Sequence, residues 1–146
     1  MTHAPVLVVV DHQDGLPTGP ATEVLTAARG LGGPVAAVWL GAAAPGDAAR
    51  AELGRFGVGT VHVPELDGLA PQLAPVATEA VAAVVAHSAP RAVLLVSTYA
   101  GKELAAGLAV ALGSGAVVDA DGVERRADGT LAAGKTVFGA SWQTVC

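Results

Sequence analysis

Short apolar runs recur along the chain and indicate its strands. The first, Val6-Leu7-Val8-Val9-Val10, contains no polar residue and consists mostly of β-branched side chains. An unbroken apolar run of this length is typical of a strand that is buried on both faces, as in a parallel sheet. The pattern predicts buried strands of this kind at 6–10, 35–40 and 92–96, and two shorter strands at 60–63 and 116–118.

Segments with helical spacing lie between these strands. In the first of them, Pro20 suits the opening position of a helix, and Val24, Leu25 and Ala28 share one side. Gly30 follows directly and is typical of a helix end. The same spacing predicts helices at 20–29, 46–53, 73–87 and 101–112.

Strand and helix alternate over most of the chain, which indicates βαβ units. We therefore expect a three-layer, Rossmann-like α/β sandwich with a mostly parallel sheet and helices on both faces. Near the end, Asp128-Gly129 lies between two short extended pieces and predicts a hairpin over 125–131. A final extended segment covers 135–146, and we expect these last strands to be antiparallel additions at an edge of the sheet.

Composition and charge limit the classes of partner that the chain is expected to bind. The 146 residues fit one domain, 1–146, and 13 acidic against 8 basic residues give a formal net charge of −5. Lys and Arg form no run beyond Arg125-Arg126, so neither nucleic acid nor an anionic membrane surface is an expected partner. The apolar runs are too short to cross a bilayer, and no membrane insertion is expected.

The single cysteine, Cys146, cannot form a disulfide within the chain and indicates a reducing compartment. The start, Met1-Thr2-His3-Ala4-Pro5, lacks the positive charge that opens a secretory signal. We therefore expect a cytoplasmic protein. The sequence stops directly after a strand-like segment, and we expect it to be part of a longer chain.

Two loops are the candidate ligand sites. In doubly wound sheets, ligands bind at the carboxyl ends of the strands, where the strand order reverses. The loops after the first and fourth strands supply polar side chains there, namely Asp11, His12, Gln13 and Asp14 from one loop and Ser97, Thr98, Tyr99, Gly101 and Lys102 from the other.

The second loop permits a phosphate site at a helix N-terminus, with hydroxyls from Ser97 and Thr98 and a charge from Lys102. The P-loop pattern fails, however, because Val96 stands where it needs glycine and Glu103 where it needs Ser or Thr. An acidic residue in the first turn also complements the helix dipole by itself. We favour a capped helix start over a phosphate site.

Other patterns point away from catalysis. No G-x-G-x-x-G spacing follows the first strand, and no nucleophile elbow occurs near the Gly139-Ala140-Ser141-Trp142 stretch. The four histidines, His3, His12, His62 and His87, show no metal-ligand spacing.

Single candidate residues also have a structural interpretation that we favour. A general base at His12 beside Asp11 is a weaker interpretation than a solvated or capping histidine. Asp119 and Asp121 suit a turn better than a catalytic pair, and Cys146 lacks surroundings that would activate it. The sequence predicts no catalytic, cofactor-binding or metal-binding residue.

A known family shares this order of segments. An apolar strand ends at Asp11-His12, and a helix follows over 22–29. Ser97-Thr98-Tyr99-Ala100-Gly101-Lys102-Glu103 then joins an apolar strand to an Ala/Leu helix, and 115–119 and 136–146 close the series. In this arrangement the chain resembles the amino-terminal domain of electron-transfer flavoprotein α subunits, which commonly carry Gly-Lys-Asp or Gly-Lys-Glu at the place of 101–103.

The resemblance implies a scaffold. Family α subunits bind FAD with their second half, so it implies no cofactor held by residues 1–146 and FAD in the full-length protein. It also implies a platform that packs on the β subunit. The intact flavoprotein collects electrons from dehydrogenases, such as those for acyl-CoA in fatty acid β-oxidation, and passes them to a quinone oxidoreductase. The chain departs from the family at Gly107, where Arg is usual, and at Val118, where Thr is usual.

Two other functions stay open. A stand-alone adenine-nucleotide-binding module, similar to universal stress proteins, is motivated by Asp11 and the 97–102 loop, although the glycine-rich phosphate motif typical of those proteins is missing. A small enzyme that uses His12 and Asp11 is the third possibility.

Overall fold

The computed structural model describes residues 3–137 and 142–146, without the side chains of Val137 and Trp142. Four parallel strands form the main sheet, and helices cover both of its faces. The elements in chain order are β1 (Val6–Val9), β2 (His12–Gln13), β3 (Leu16–Pro17), α1 (Gly19–Gly30), β4 (Val35–Val38), α2 (Asp47–Arg55), β5 (Val58–His62), α3 (Ala74–Ser88), β6 (Ala92–Leu95), α4 (Tyr99–Leu112), β7 (Gly122–Arg125), β8 (Leu131–Val137) and β9 (Trp142–Val145).

The main sheet has the order β5-β4-β1-β6, and all of its pairs are parallel. The chain therefore builds outward from β1 through β4 to β5 and then returns to the other side of β1 with β6. Between β1 and β6 the direction of winding reverses, which is the topological switch point of a doubly wound fold. The predicted Rossmann-like α/β sandwich is confirmed.

Alternate residues of each apolar run bury against opposite layers. Val6 and Val8 pack in the core beneath α1 and α2, whereas Leu7 and Val9 pack in the core beneath α3 and α4. All four are at most 6% exposed. Since a strand covered on both faces needs apolar residues at every position, the unbroken runs are explained.

Helix boundaries follow local capping chemistry. The hydroxyl of Thr18 accepts a hydrogen bond from the Ala21 amide at 3.3 Å, and the hydroxyl of Thr98 accepts one from the Gly101 amide at 3.0 Å. These side chains cap α1 and α4 and satisfy amides that have no partner within the helix. α4 ends at Gly113, whose φ of +61° lies in the left-handed region that glycine favours.

Three predictions for irregular segments need correction. Residues 116–118 form no strand, because Asp119, with a φ of +55°, turns the chain toward Ser97 after only a few residues. The loop after β1, where we expected only irregular chain carrying His12, Gln13 and Asp14, contains a small antiparallel pair, β2 with β3, around Gly15 at a φ of +78°.

The third correction concerns the end of the chain. The hairpin predicted over 125–131 is present as the turn between β7 and β8, and β8 also pairs with β9. These three strands form a separate antiparallel sheet and do not extend an edge of the main one. The predicted extended segment over 135–146 is thus divided between β8 and β9, and its residues 138–141 lie outside the described part.

The longest described helix has 15 residues, and none of the helices in residues 3–137 is long and apolar enough to reach across a lipid bilayer.

Gly101 marks a close approach that only glycine permits. A Cβ at this position would overlap the carbonyl oxygen of Val96, at the end of β6. We expect Gly101→Ala to lower the free energy of unfolding by about 1–3 kcal/mol, because the start of α4 must shift. Gly54→Ala is the matched control, since a Cβ there meets no atom within 4 Å and alanine favours the helix by about 0.5–1 kcal/mol. Urea denaturation that finds the two variants equally stable would contradict this account.

Candidate functional site

The switch point brings the two predicted loops to the same end of the sheet. Asp11 and His12 follow β1, and the 97–102 loop follows the neighbouring strand β6. The prediction that these loops lie at the carboxyl ends of adjacent strands is confirmed. What the side chains do there decides whether the crevice is a ligand site.

His12 is held by two contacts within the chain. Its ring stacks on the buried indole of Trp39, with centroids 3.8 Å apart and planes 5° apart. Its Nε2 lies 2.7 Å from the carbonyl oxygen of Leu40, and since a carbonyl only accepts, the nitrogen donates. His12 therefore anchors its loop to the end of β4, which fits the capping interpretation.

Asp11 lies beside this anchored ring. Partial burial raises the pKa of its carboxyl above the ordinary value, and the nearby imidazole of His12 opposes that shift. The two side chains do not form a hydrogen bond in the described part of the chain, where His12 bonds to Leu40 instead.

Asp119 closes the second loop. Its carboxylate lies 2.7 Å from the Lys102 ammonium and accepts a 3.3 Å hydrogen bond from the Ser97 hydroxyl. The Asp119 amide donates to the same hydroxyl at 3.0 Å. The hydrogen bond from Lys102 is the largest cause of the lowered pKa of Asp119. The positive charge of Lys102 and the hydrogen bond from Ser97 lower that pKa further. We call Ser97, Lys102 and Asp119 the Asp119 clamp.

The polar groups that would bind a phosphate in this loop are bonded to other groups of the chain. Lys102 faces a carboxylate, Ser97 is bonded to Asp119, and the Thr98 hydroxyl accepts from the Gly101 amide. A phosphate bound here would have to displace an anion that already occupies the site. The loop is a capped helix start, but its cap is the Thr98 hydroxyl: α4 begins at Tyr99, so Glu103 lies beyond the first turn, where we expected it.

Asp121 belongs to the antiparallel sheet and not to the crevice. Its carboxylate accepts a hydrogen bond from the Thr136 hydroxyl, and its amide donates to the Gly134 carbonyl at 2.9 Å. Asp119 and Asp121 thus tie two different pairs of segments together. Both aspartates lie at bends of the chain, as turn-forming residues do. The hydrogen bond between Asp119 and Ser97, 22 residues away, was not predicted.

Two cavities lie elsewhere. One of about 640 Å³ is a groove between α3 and α4, and one of about 470 Å³ lies near β5 and the end of α3 and is lined in part by His3, His62 and His87. Neither is lined by residues 11–14 or 97–102. Within the described ranges, no three His, Cys, Asp or Glu side chains come together as a metal site.

The departure at Gly107 has a packing reason. A Cβ on Gly107 would lie 2.6 Å from the Thr78 hydroxyl oxygen, so α3 and α4 approach each other closely at this point. The second departure, Val118, lies in the irregular segment that leads to Asp119. The close approach of the two helices depends on tertiary packing, and the sequence offered only the unusual glycine within a helix as a signal.

The strand order defines a doubly wound α/β domain, and the polar side chains in the loops at its switch point bond to groups of the same chain. Residues 6–146 match the model of the electron transfer flavoprotein domain, and the chain belongs to that family.

Curated relatives agree with this assignment. The chain is 39% identical over 118 residues to an electron transfer flavoprotein subunit alpha of Mycobacterium tuberculosis (strain CDC 1551 / Oshkosh), covering 80% of this chain and 36% of the relative. It is 37% identical over 138 residues to the subunit alpha of Mycobacterium leprae (strain TN), covering 93% of this chain and 41% of the relative. The chain thus spans well under half the length of these relatives.

The Asp119 clamp predicts a linked titration. We expect Lys102→Met to raise the pKa of Asp119 toward the ordinary aspartate value, because the variant removes the hydrogen bond and the positive charge that favour the carboxylate. Carboxyl ¹³C shifts followed by NMR measure this. Asp128 is the internal control, since its pKa is lowered mainly by Thr130 and not by Lys102. An Asp119 titration that is unchanged in the variant would show that the clamp does not form.

The lowered pKa of His62 predicts that the folded chain becomes less stable in acid. Partial burial, and secondarily the charge of His87, lower its pKa below 6.5 in the folded chain. Between the folded pKa of His62 and about 6.5, the unfolded state binds more protons than the folded state. The stability that depends on a neutral His62 is therefore fully present above this range and is lost as the pH falls through it.

Melting temperatures at several pH values test this expectation. His62→Gln reduces the loss of stability on acidification, and His87→Gln reduces it less, because burial is the larger cause. An equal acid dependence in the wild type and His62→Gln would contradict the account.

Proposed function

We propose that this chain is the amino-terminal scaffold domain of an electron-transfer flavoprotein α subunit, and that residues 1–146 form that one domain. The observation that carries the proposal is the family match along residues 6–146. The relatives extend well beyond the matched part, since only 36–41% of their length aligns with this chain. The flavin-binding half that the resemblance implies would then lie in the remaining part of such a subunit.

In this role the chain packs on a β subunit and supports the FAD-binding parts of the complex. The intact flavoprotein is cytoplasmic, takes electrons from dehydrogenases, acyl-CoA dehydrogenases among them, and delivers them to a quinone oxidoreductase. The domain itself is an electron-carrier component and not an enzyme. The hydrogen bond of His12 to Leu40 and the ion pair of Lys102 with Asp119 support this role, because they use the polar groups of the crevice to stabilise the fold.

Purification with and without the β subunit tests the proposal. Alone, the chain is expected to be colourless and to bind neither AMP nor ATP in calorimetry. Co-expressed with the β subunit of the same flavoprotein, it is expected to co-elute with that subunit in size-exclusion chromatography. Flavin absorbance near stoichiometry in the chain alone would contradict the scaffold role, and micromolar binding of AMP or ATP would favour the adenine-nucleotide-binding module instead.

A further inference from the structure

Helix α4 is apolar on the side that faces away from the sheet as well as on the side that faces it. Leu104 and Leu108 are its buried residues and pack in the core beneath the helix. Tyr99 and Val110 are 94% and 85% exposed. Exposed apolar residues on the side of a helix that faces away from its core are suited to contact with a partner.

The exposed residues share one side of the helix. Tyr99 and Val110 are 11 residues apart, which is about three turns. Glu103 and Ala106 lie between them on the same side by the helical repeat, and both are exposed. An apolar stripe interrupted by one carboxylate therefore runs along the outside of α4.

The groove between α3 and α4 adjoins this stripe. It has a volume of about 640 Å³ and is lined mainly by small residues, among them Ala82, Gly107 and Ala111. Glu103 belongs to both the stripe and the groove, so the two surfaces are continuous. We call the combination the α3–α4 face. Because Gly107 has no side chain to fill the groove, a ridge of side chains from another molecule fits into it.

Charge defines what kind of surface fits. Glu79 and Glu103 line the groove and are both exposed. In the described part of the chain, the two ion pairs join Arg55 to Glu52 and Lys102 to Asp119, so neither groove carboxylate is engaged in one. A partner with apolar side chains flanked by Lys or Arg complements this face, and the chain's net charge of −5 attracts such a partner at long range.

A second copy of this chain complements the face poorly. A two-fold contact between copies places the same patch on both sides, so the carboxylates of Glu79 and Glu103 meet the same carboxylates of the other copy. Two chains with net charges of −5 also repel each other. The observations thus favour a different protein with a basic and apolar surface.

We propose that the α3–α4 face is the docking surface for such a partner, which in the proposed function is the β subunit of the flavoprotein. The inference rests on that proposed function for the partner's identity. The surface itself rests on the exposed Tyr99 and Val110, on the groove at Gly107, and on the carboxylates of Glu79 and Glu103.

Val110→Glu is the direct test, because the side chain is 85% exposed and the variant leaves the core untouched. Affinity for the purified β subunit, measured by calorimetry, is expected to fall by about tenfold to a hundredfold, since an apolar contact is lost and a carboxylate is buried in its place. The matched control is Ala51→Glu, at an exposed position of α2 on the opposite face of the sheet, which is expected to bind within about twofold of the wild type.

A charge reversal tests whether the groove carboxylates attract the partner. The double variant Glu79→Lys with Glu103→Lys is expected to associate more slowly with the β subunit at low salt, by about tenfold or more, and to approach the wild-type rate as salt screens the charges. Circular dichroism and melting temperatures of all variants establish that they are folded before binding is compared.

The outcomes separate the docking surface from the proposed function. If the unaltered chain does not bind the β subunit, the proposed function fails and the assignment of this surface fails with it. If the unaltered chain binds, and Val110→Glu and the charge reversal bind as well as Ala51→Glu does, only the docking surface is wrong. If Val110→Glu abolishes self-association in sedimentation while leaving β-subunit binding intact, the face joins copies of this chain and the proposal is overturned.

Discussion

Strand β1 is buried on both faces, and the rest of the structure depends on that constraint. Val6, Leu7 and Val8 have no exposed surface, and they point alternately into the core under α1 and α2 and the core under α3 and α4. Burying each such side chain contributes about 1.5–3 kcal/mol. The two helical layers are thus joined through β1 and its neighbour β4, whose residues also divide between the two cores. The reversal of strand order beside β1 creates the crevice between β1 and β6.

In the crevice, polar side chains bond to groups of the same chain. In related folds, this position offers hydroxyls, amides and a helix N-terminus to a phosphate. Here Asp119 takes the place of an anion against Lys102 and Ser97, and His12 is stacked on Trp39 and bonded to Leu40. These contacts stabilise the switch-point end of the sheet through groups of the chain itself.

The sequence predicted the parts of the fold that local patterns control. The apolar runs located the four parallel strands, and spacing with Pro20 and Gly30 located the helices, with boundaries that differ by at most two residues. The tie between Asp119 and Ser97 was not predictable, because it joins residues 22 apart through tertiary contact. The strand expected at 116–118 failed for the same reason, since that contact turns the chain, and the apolar outer side of α4 emerged only when exposure was known.

We propose that the chain docks a partner through α4 and that its switch-point crevice holds no cofactor. A structure of the chain in complex with the β subunit, solved in the presence of FAD and AMP, tests it most directly. The account predicts β-subunit side chains against Tyr99 and Val110 and the Lys102–Asp119 ion pair intact. Flavin or nucleotide density between Asp11 and Ser97, with that ion pair broken, would contradict it.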